Sequence, residues 1–413
     1  MASASASPAS WQKNLYAVFF AELIVMAGFS FVFPFMPLYI QQLGKFTNQQ
    51  AAFWAGIGEG ASGIAMFLSA PLWGIMADRM GKKPMVLRAM FGTSVVVALI
   101  AIAPNVPFVI VMRLLQGALS GTIAAASALV ASITPRNRMT FAMGLLMSAM
   151  YVGNSIGPLL GGLAADRFGF RVTFFITGGL LLTGGLIVLI LVKEKFERPV
   201  QAERASMRSM LQLAASKQIL PLLVTQFTLQ AGPNMVAPII PLFMEQLNPL
   251  GAAATSAGIA FTIAGVIAAI SATIAGRLGA RIPLKTILVT SALGTCLVYL
   301  PPMFARNTTQ LTAFIGLRGL VNGGIMTASY SILSLSVPAG QQGIAFGLGQ
   351  SANSLGNGLG PVVGGALGSS LGLKHVFAFT SGMYLLAGLL VIRLVPKRPV
   401  QAQAAKPTSA EAG

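Results

Sequence analysis

The sequence predicts an all-α membrane protein: twelve transmembrane helices in two pseudo-symmetric six-helix bundles. Three observations carry that prediction. The chain of 413 residues is 55% hydrophobic and only 9% charged, whereas about a quarter of a soluble protein is charged, so water is not its main solvent. It contains twelve apolar stretches near the length of about 20 residues that crosses a hydrocarbon core of about 30 Å. Segments of the first half also recur about 203 residues later in the second, the mark of an internal structural repeat.

Taken in order, the predicted spans lie near 14–40, 51–76, 86–104, 108–132, 139–162, 172–192, 218–243, 252–275, 286–303, 310–335, 342–366 and 376–395. The stretch 1–13 before them is rich in Ala and Ser and lacks the basic start and cleavage pattern of a secretory signal. It is expected to be a disordered, uncleaved tail, with span 1 serving as the insertion signal. Spans 1 to 6 form an N-terminal bundle over 14–192 and spans 7 to 12 a C-terminal bundle over 218–395, followed by a second disordered tail at 396–413. The connection 193–217 is the longest and most charged. Its Met207, Met210, Leu211 and Ala214 share one helical face, which predicts a short amphipathic helix lying on the membrane.

A net charge of +18 in a soluble chain points to nucleic acid, but the 27 Lys and Arg form no single patch. With both termini inside, the outer connections hold only Lys45, Arg167, Arg171, Arg306 and Lys374; Arg113 and Arg318 fall within spans, and the rest lie on the inner side. Positive residues flanking spans are retained in the cytoplasm. The expected arrangement is therefore a chain that crosses the membrane many times, with both termini cytoplasmic. The basic residues serve topology and the lipid bilayer, no nucleic-acid partner is expected, and the chain is expected to be a monomer. The single cysteine, Cys296, excludes an intrachain disulfide, and the single histidine, His375, leaves no cluster with metal spacing. No metal or cofactor is expected, and no arrangement of nucleophile and base suggests an enzyme.

The repeat is clearest in three places. Pro34-Phe35-Met36-Pro37-Leu38-Tyr39 is matched by Pro238-Ile239-Ile240-Pro241-Leu242-Phe243, Arg113 by Arg318, and Gly153-Asn154-Ser155-Ile156-Gly157-Pro158 by Gly356-Asn357-Gly358-Leu359-Gly360-Pro361. Each half has an even number of spans, so both enter from the same side and are related by an axis along the membrane normal. A substrate is expected at their interface.

Of the nine acidic residues only Glu22 and Glu59 lie within spans. Glu22 shares a helical face with Phe19, Met26, Phe29 and Phe33, so an acid is set in a soft apolar stripe. That makes it a candidate proton carrier able to attract a cationic substrate. Glu59 in span 2 and Arg113 in span 4 fall roughly 7 and 9 Å to the outer side of their span midpoints at about 1.5 Å per residue, so they are expected to pair, for proton coupling or for packing alone. Glu245, near the outer end of span 7, is expected to be wet. Span 2 ends in Gly74-Ile75-Met76-Ala77-Asp78-Arg79-Met80-Gly81-Lys82-Lys83. Asp78 is suited to accept hydrogen bonds or pair with a base, Gly81 to a tight turn, and Arg79, Lys82 and Lys83 to the inner face, an arrangement that reads as a breakable latch. In the equivalent second-half loop the acid is replaced by Ala280. Gly153, Gly157 and Gly161 stand at steps of four, with Gly162 following, and make a flat helix face where another backbone can approach, while Pro158 bends the helix.

The span-2 loop, the Arg113-Leu114-Leu115-Gln116-Gly117 run, the Gly-Pro helix, and the stretches Ser69-Ala70-Pro71-Leu72-Trp73-Gly74 and Thr134-Pro135-Arg136-Asn137 resemble the major facilitator superfamily, in its branch of twelve-span drug:H+ antiporters. The resemblance covers nearly the whole chain. It implies the major facilitator fold, with a central cavity lined chiefly by spans 1, 4, 7 and 10. It also implies a bacterial cytoplasmic (inner) membrane, proton coupling tied to the arginine matched by Arg113, to which the reading of the residues adds Glu22 and Glu59, and export of small amphipathic substrates by alternating rocking of the halves. The lining it points to is soft and weakly polar: Met26, Phe29 and Phe33; Met147, Tyr151 and Asn154; Gln226, Gln230 and Asn234; Asn322; Gln350 and Asn353. The alternatives left open are a narrow exporter of one metabolite, such as a sugar or siderophore, and a membrane sensor that transports nothing.

Overall fold

The computed structural model describes residues 8–135, 138–194, 215–216, 219–278, 282–335 and 342–394. Among them every regular element is helical. Span 1 is α1 (Pro8–Val32) and α2 (Met36–Gly44), spans 2 and 3 are α3 (Asn48–Met80) and α4 (Lys82–Ala101), and span 4 is α5 (Val106–Leu119) and α6 (Thr122–Ile133). Spans 5 and 6 are α7 (Met139–Phe168) and α8 (Phe170–Leu191), and span 7 is α9 (Leu220–Val236) and α10 (Ile239–Leu247). Spans 8 to 12 are α11 (Ala253–Leu278), α12 (Leu284–Tyr299), α13 (Thr308–Leu335), α14 (Gln342–Leu371) and α15 (Leu373–Leu394).

Nine helical segments among the described residues are long and apolar enough to cross a membrane. Span 7 is interrupted at Ala237-Pro238, which separate α9 from α10. The tail expected over 1–13 ends sooner, because α1 starts at Pro8 and Trp11 and Leu15 are already buried in the bundle. Most of the connection expected to hold an amphipathic helix, and the tail 396–413, lie outside the described residues.

Spans 1 and 7 break where their prolines fall. A 3-10 turn, Phe33–Phe35, joins α1 to α2 around Pro34, and proline cannot donate to the ladder of the preceding turn. Span 4, which reads in sequence as one apolar run, breaks at Ser120–Gly121, where Gly121 has φ +107°. Carbonyls released there find donors on neighbouring helices: Trp73 Nε1 donates to the Ala118 carbonyl at 2.6 Å and Arg88 to that of Ser120 at 3.2 Å. Such repayment is what keeps an irregular backbone tolerable at membrane depth.

The same helix pairs touch in each bundle. In the first, α1 lies against α7 and α8, α3 against α5, and α4 against α8; in the second, α9 lies against α14 and α15, α11 against α13, and α12 against α15. The closest approaches need glycine: a methyl group on Gly161 would run into the Phe31 carbonyl, and one on Gly364 into that of Met235.

Between bundles, α3 meets α14 and α7 meets α11. The hydrogen bonds described across this interface lie in the half of the molecule away from the chain termini. Asn48 Nδ2 donates to the Leu242 carbonyl at 3.2 Å, the Thr255 N–H to Asp166 Oδ2 at 2.7 Å, and Thr262 Oγ1 to the Ser155 carbonyl at 2.6 Å. Tyr151 continues the stripe of Ser155, Pro158 and Gly162 toward the termini, yet it is 62% exposed. The bundles thus close on the far face and part toward the face that carries the termini.

Candidate functional site

Arg113 on α5 is buried inside the first bundle. Its Nη2 donates to the carboxylate of Glu59 on α3 as an ion pair, and its Nη1 donates to Gln116 Oε1, one turn along α5, at 2.6 Å. The guanidinium carbon lies 4.6 Å from the centroid of the Phe33 ring, in the break of span 1. Three elements therefore hold one cation: a carboxylate from α3, an amide from its own helix, and a π face from span 1. The Glu59 side chain keeps 27% of its surface exposed, so the pair is enclosed more tightly on its arginine side.

Glu22 on α1 is in the opposite condition. It is 0% exposed, and neither carboxyl oxygen has a hydrogen-bond partner. Its helix neighbours Val18, Val25 and Met26 belong to an apolar cluster with Leu129 and Val130 of α6 and Leu146 of α7. A charged carboxylate there, with neither donor nor cation, costs several kcal/mol, far more than the neutral acid.

The residues expected to line a central cavity divide. Tyr151 and Asn154 are exposed, and Phe29, Phe33, Met147, Gln230 and Asn234 are half-buried. Met26, Gln226 and Asn353 do not line open space; each is buried within its own bundle. Met26 packs beneath Gly153 of α7, and α9 turns Gln226 inward together with Leu222 and Leu229. Helical spacing says which residues share a face but not which way that face points. Neither end of the Gln226 amide has a partner. Glu245 is half-buried, with Oε2 enclosed and unpartnered. The surroundings of Gly74 and the side chains of Asp78, Asn322 and Gln350 lie outside those described.

In the span 2–3 loop, Gly81 makes the turn with φ +98°. The backbone N–H groups of Lys82 and Lys83 each donate to a different oxygen of Glu194 at 2.8 Å, so this acid caps the first turn of α4. Lys83 Nζ donates to the Leu189 and Val192 carbonyls at 2.8 and 2.6 Å, at the end of α8. These bonds tie the loop to its own bundle, and Arg79 is exposed. In the second half, Lys285 Nζ repeats the arrangement on the Ile392 carbonyl at 2.8 Å.

Each Gly-Pro motif carries an asparagine that follows its first glycine. Asn154 accepts a hydrogen bond from Ser30, while Asn357 Oδ1 accepts from Gln230 Nε2 at 2.7 Å and from Asn234 Nδ2 at 2.8 Å. Gln116, Ser30, Asn357 and Glu194 were not singled out from sequence. Gln116 follows Arg113 by one turn and Asn357 stands opposite Asn154 in the repeat, so both had a signal; Glu194 had none. A cleft of about 450 Å³ on the far face, lined by Thr47, Asn48, Gln246, Lys374 and His375 among others, holds none of the expected cavity residues.

Two pseudo-symmetric helical bundles, closed on one face and parting toward the other, with a buried ion pair and a lone acid in one of them, define a membrane transporter that works by relative movement of its halves. The chain belongs to the major facilitator superfamily, whose family model matches residues 18–249 and again 222–412. Among curated relatives it is 33% identical over 380 residues to the multidrug resistance protein MdtG of Citrobacter koseri, covering 92% of this chain and 94% of the relative. It is also 33% identical over 381 residues to an Escherichia coli MdtG, covering 92% and 93%. Of solved structures, a mutant of the nucleoside transporter NupG superposes with a TM-score of 0.82 at 13% identity, covering 93% of this chain and 100% of that one. A bacterial homologue of the human lysosomal transporter Spinster, inward-facing and occupied, gives 0.77 at 14% identity, covering 94% and 97%. At these identities the structures speak for the fold alone.

Proposed function

We propose that this transporter exports amphipathic drug-like compounds in exchange for protons, with Glu59, Arg113 and Glu22 handling the proton. The observation that carries the reading is the Glu59–Arg113 pair, an acid and base inside a membrane bundle, touched by a ring of the expected substrate wall. Intramembrane ionisable groups are costly and mark proton or substrate paths. The likeness to multidrug resistance proteins over almost the whole chain supports the substrate class. The excess of basic residues supports a cytoplasmic terminal face, and with that orientation the bundles as arranged here open inward. Glu22, enclosed without a partner, holds its proton in this arrangement and releases it when the bundle opens to the cation or to water. Phe29, Phe33, Met147, Tyr151, Asn154, Gln230 and Asn234 form the substrate wall, and methionine and aromatic surfaces adapt to varied ligands.

Inverted vesicles with an internal pH probe and a panel of chemically unrelated drugs test this. Wild type is expected to release protons on addition of several of the drugs, and Glu59→Gln to lower that release by about tenfold or more. Undiminished release in the variant removes Glu59 from the mechanism, and no drug-dependent release with intact wild type overturns antiport.

A further inference from the structure

Phe33 is placed where two otherwise separate parts of the first bundle meet. It sits at the break between α1 and α2, in the 3-10 turn that Pro34 imposes. Its ring lies 4.6 Å from the Arg113 guanidinium carbon and 5.7 Å, centroid to centroid, from the Phe29 ring one turn back toward Glu22. Phe29 packs on the apolar cluster around Glu22's neighbours, whereas Phe33 packs on the other cluster, which contains Val109 and Met112 of α5. Both rings are half-buried. Of the groups that hold Arg113, Glu59 comes from α3 and Gln116 from α5 itself. Phe33 is the contact from span 1, the helix that also carries Phe29 and Glu22. The charged groups at this point are Arg113 and Glu59, and Glu22 lies three turns away on the same span.

A benzene ring has a negative π face that accepts a cation without needing a proton or a fixed hydrogen-bond direction. A guanidinium and a lipophilic cation are both suited to it, and a crowded ring cannot serve both well at once. We infer that the Phe33 ring is exchanged between the Arg113 guanidinium and a cationic substrate, and that this exchange links substrate binding to the state of Glu59. With Glu59 ionised, as in the pair seen here, Arg113 is held by the carboxylate and by Gln116, so its contact with the ring can be given up to an incoming cation. With Glu59 protonated, the guanidinium loses its counter-charge, keeps the ring as its remaining partner beside Gln116, and excludes the cation. Proton and substrate then compete through one aromatic side chain that neither gives nor takes a proton. Phe33 is thus a positioning residue for Arg113 and a selector for cationic amphipaths. The inference rests on the reading of Glu59 as a proton site.

The test uses purified full-length protein in detergent. Two probes are compared between pH 6 and 9: tetraphenylphosphonium, a lipophilic cation, and N-phenyl-1-naphthylamine, a neutral aromatic amphipath. For wild type, tetraphenylphosphonium binding is expected to weaken as the pH falls. Phe33→Leu keeps an apolar side chain but removes the π face. It is expected to weaken cation binding at pH 9 by about tenfold and to flatten its pH dependence, leaving the neutral probe within about twofold. Phe33→Trp is expected to restore both the affinity and the slope. Wild-type cation affinity and slope in Phe33→Leu overturn the inference. So does equal loss of both probes without rescue by Phe33→Trp, which makes the ring packing only. Glu59→Gln separates the underlying reading: it is expected to bind the cation weakly at every pH. A wild-type pH slope in Glu59→Gln, with Phe33→Leu still selectively defective for the cation, removes Glu59 as the proton site and overturns the link while leaving Phe33 as a cation contact.

Discussion

The two bundles share a scaffold and differ in what they do with charge. Arg113 in the first bundle is answered by the carboxylate of Glu59; its repeat partner Arg318 in the second lies 5.4 Å from the centroid of the Tyr299 ring, which stacks on Tyr384. Around Ile263, the position that the repeat equates with Glu59, the second bundle has no acid. Glu22 has its counterpart in Gln226, 204 positions on, and both are fully buried with every side-chain polar atom unpartnered. Gln226 has nearly the shape of a protonated glutamate and cannot ionise. Pseudo-symmetry thus preserves the volume and polarity of a site, while only one copy carries a side chain able to titrate. On the proposed function the first bundle changes charge, and the second holds shape.

The largest expected effect comes from erasing that contrast. Glu22→Gln gives the first bundle the residue the second already carries, and Gln226 shows that such a bundle accommodates an enclosed, unpartnered amide. Folding in detergent is therefore expected to be near wild type, while drug-driven proton release falls by about a hundredfold. Full release would mean that the titrating difference between the bundles is confined to Glu59. Next in size is a pair of substitutions expected to behave alike. Gly161→Ala pushes against the Phe31 carbonyl and Gly364→Ala against that of Met235. Each is expected to cost about 1–3 kcal/mol of stability in detergent unfolding, and the two to agree within about 1 kcal/mol. A much larger cost in one bundle would show that the shared scaffold is not shared in stiffness.

The scaffold was legible because its signals are local or periodic. Apolar length located the spans, the offset of about 203 paired Gly153 with Gly356, and rise per residue put Glu59 and Arg113 at one level. What stayed hidden depends on neighbours distant in sequence. The break in span 4 could not be read from the apolar run around Gly121, since its carbonyls are satisfied by Trp73 and Arg88 from other helices. Arg88, read as one more inner-face charge, has its guanidinium 3.6 Å from the centroid of the Trp73 ring. Gln226 and Met26 were placed on the right helices but facing the wrong way, because periodicity fixes a stripe and only packing fixes its direction.

The smallest effect probes the polar joints that tie each Gly-Pro helix to its neighbour. In the second bundle, Asn357 accepts hydrogen bonds from Gln230 and Asn234 on α9, all three side chains being half-buried. In the first, Asn154 accepts from Ser30 alone and is exposed on the side where the bundles part. Removing an acceptor costs most when the donors left behind cannot reach water. Asn357→Ala strands the Gln230 amide and takes one of two acceptors from Asn234, whose Nδ2 also donates to the Gln230 carbonyl at 2.7 Å, and is expected to cost about 2 kcal/mol, whereas Asn154→Ala leaves one hydroxyl that water can serve and is expected to cost less than about 1 kcal/mol. Unfolding in detergent measures both. The reverse order would place the stiffer joint in the first bundle, and the division between a bundle that titrates and one that holds shape would have to be redrawn.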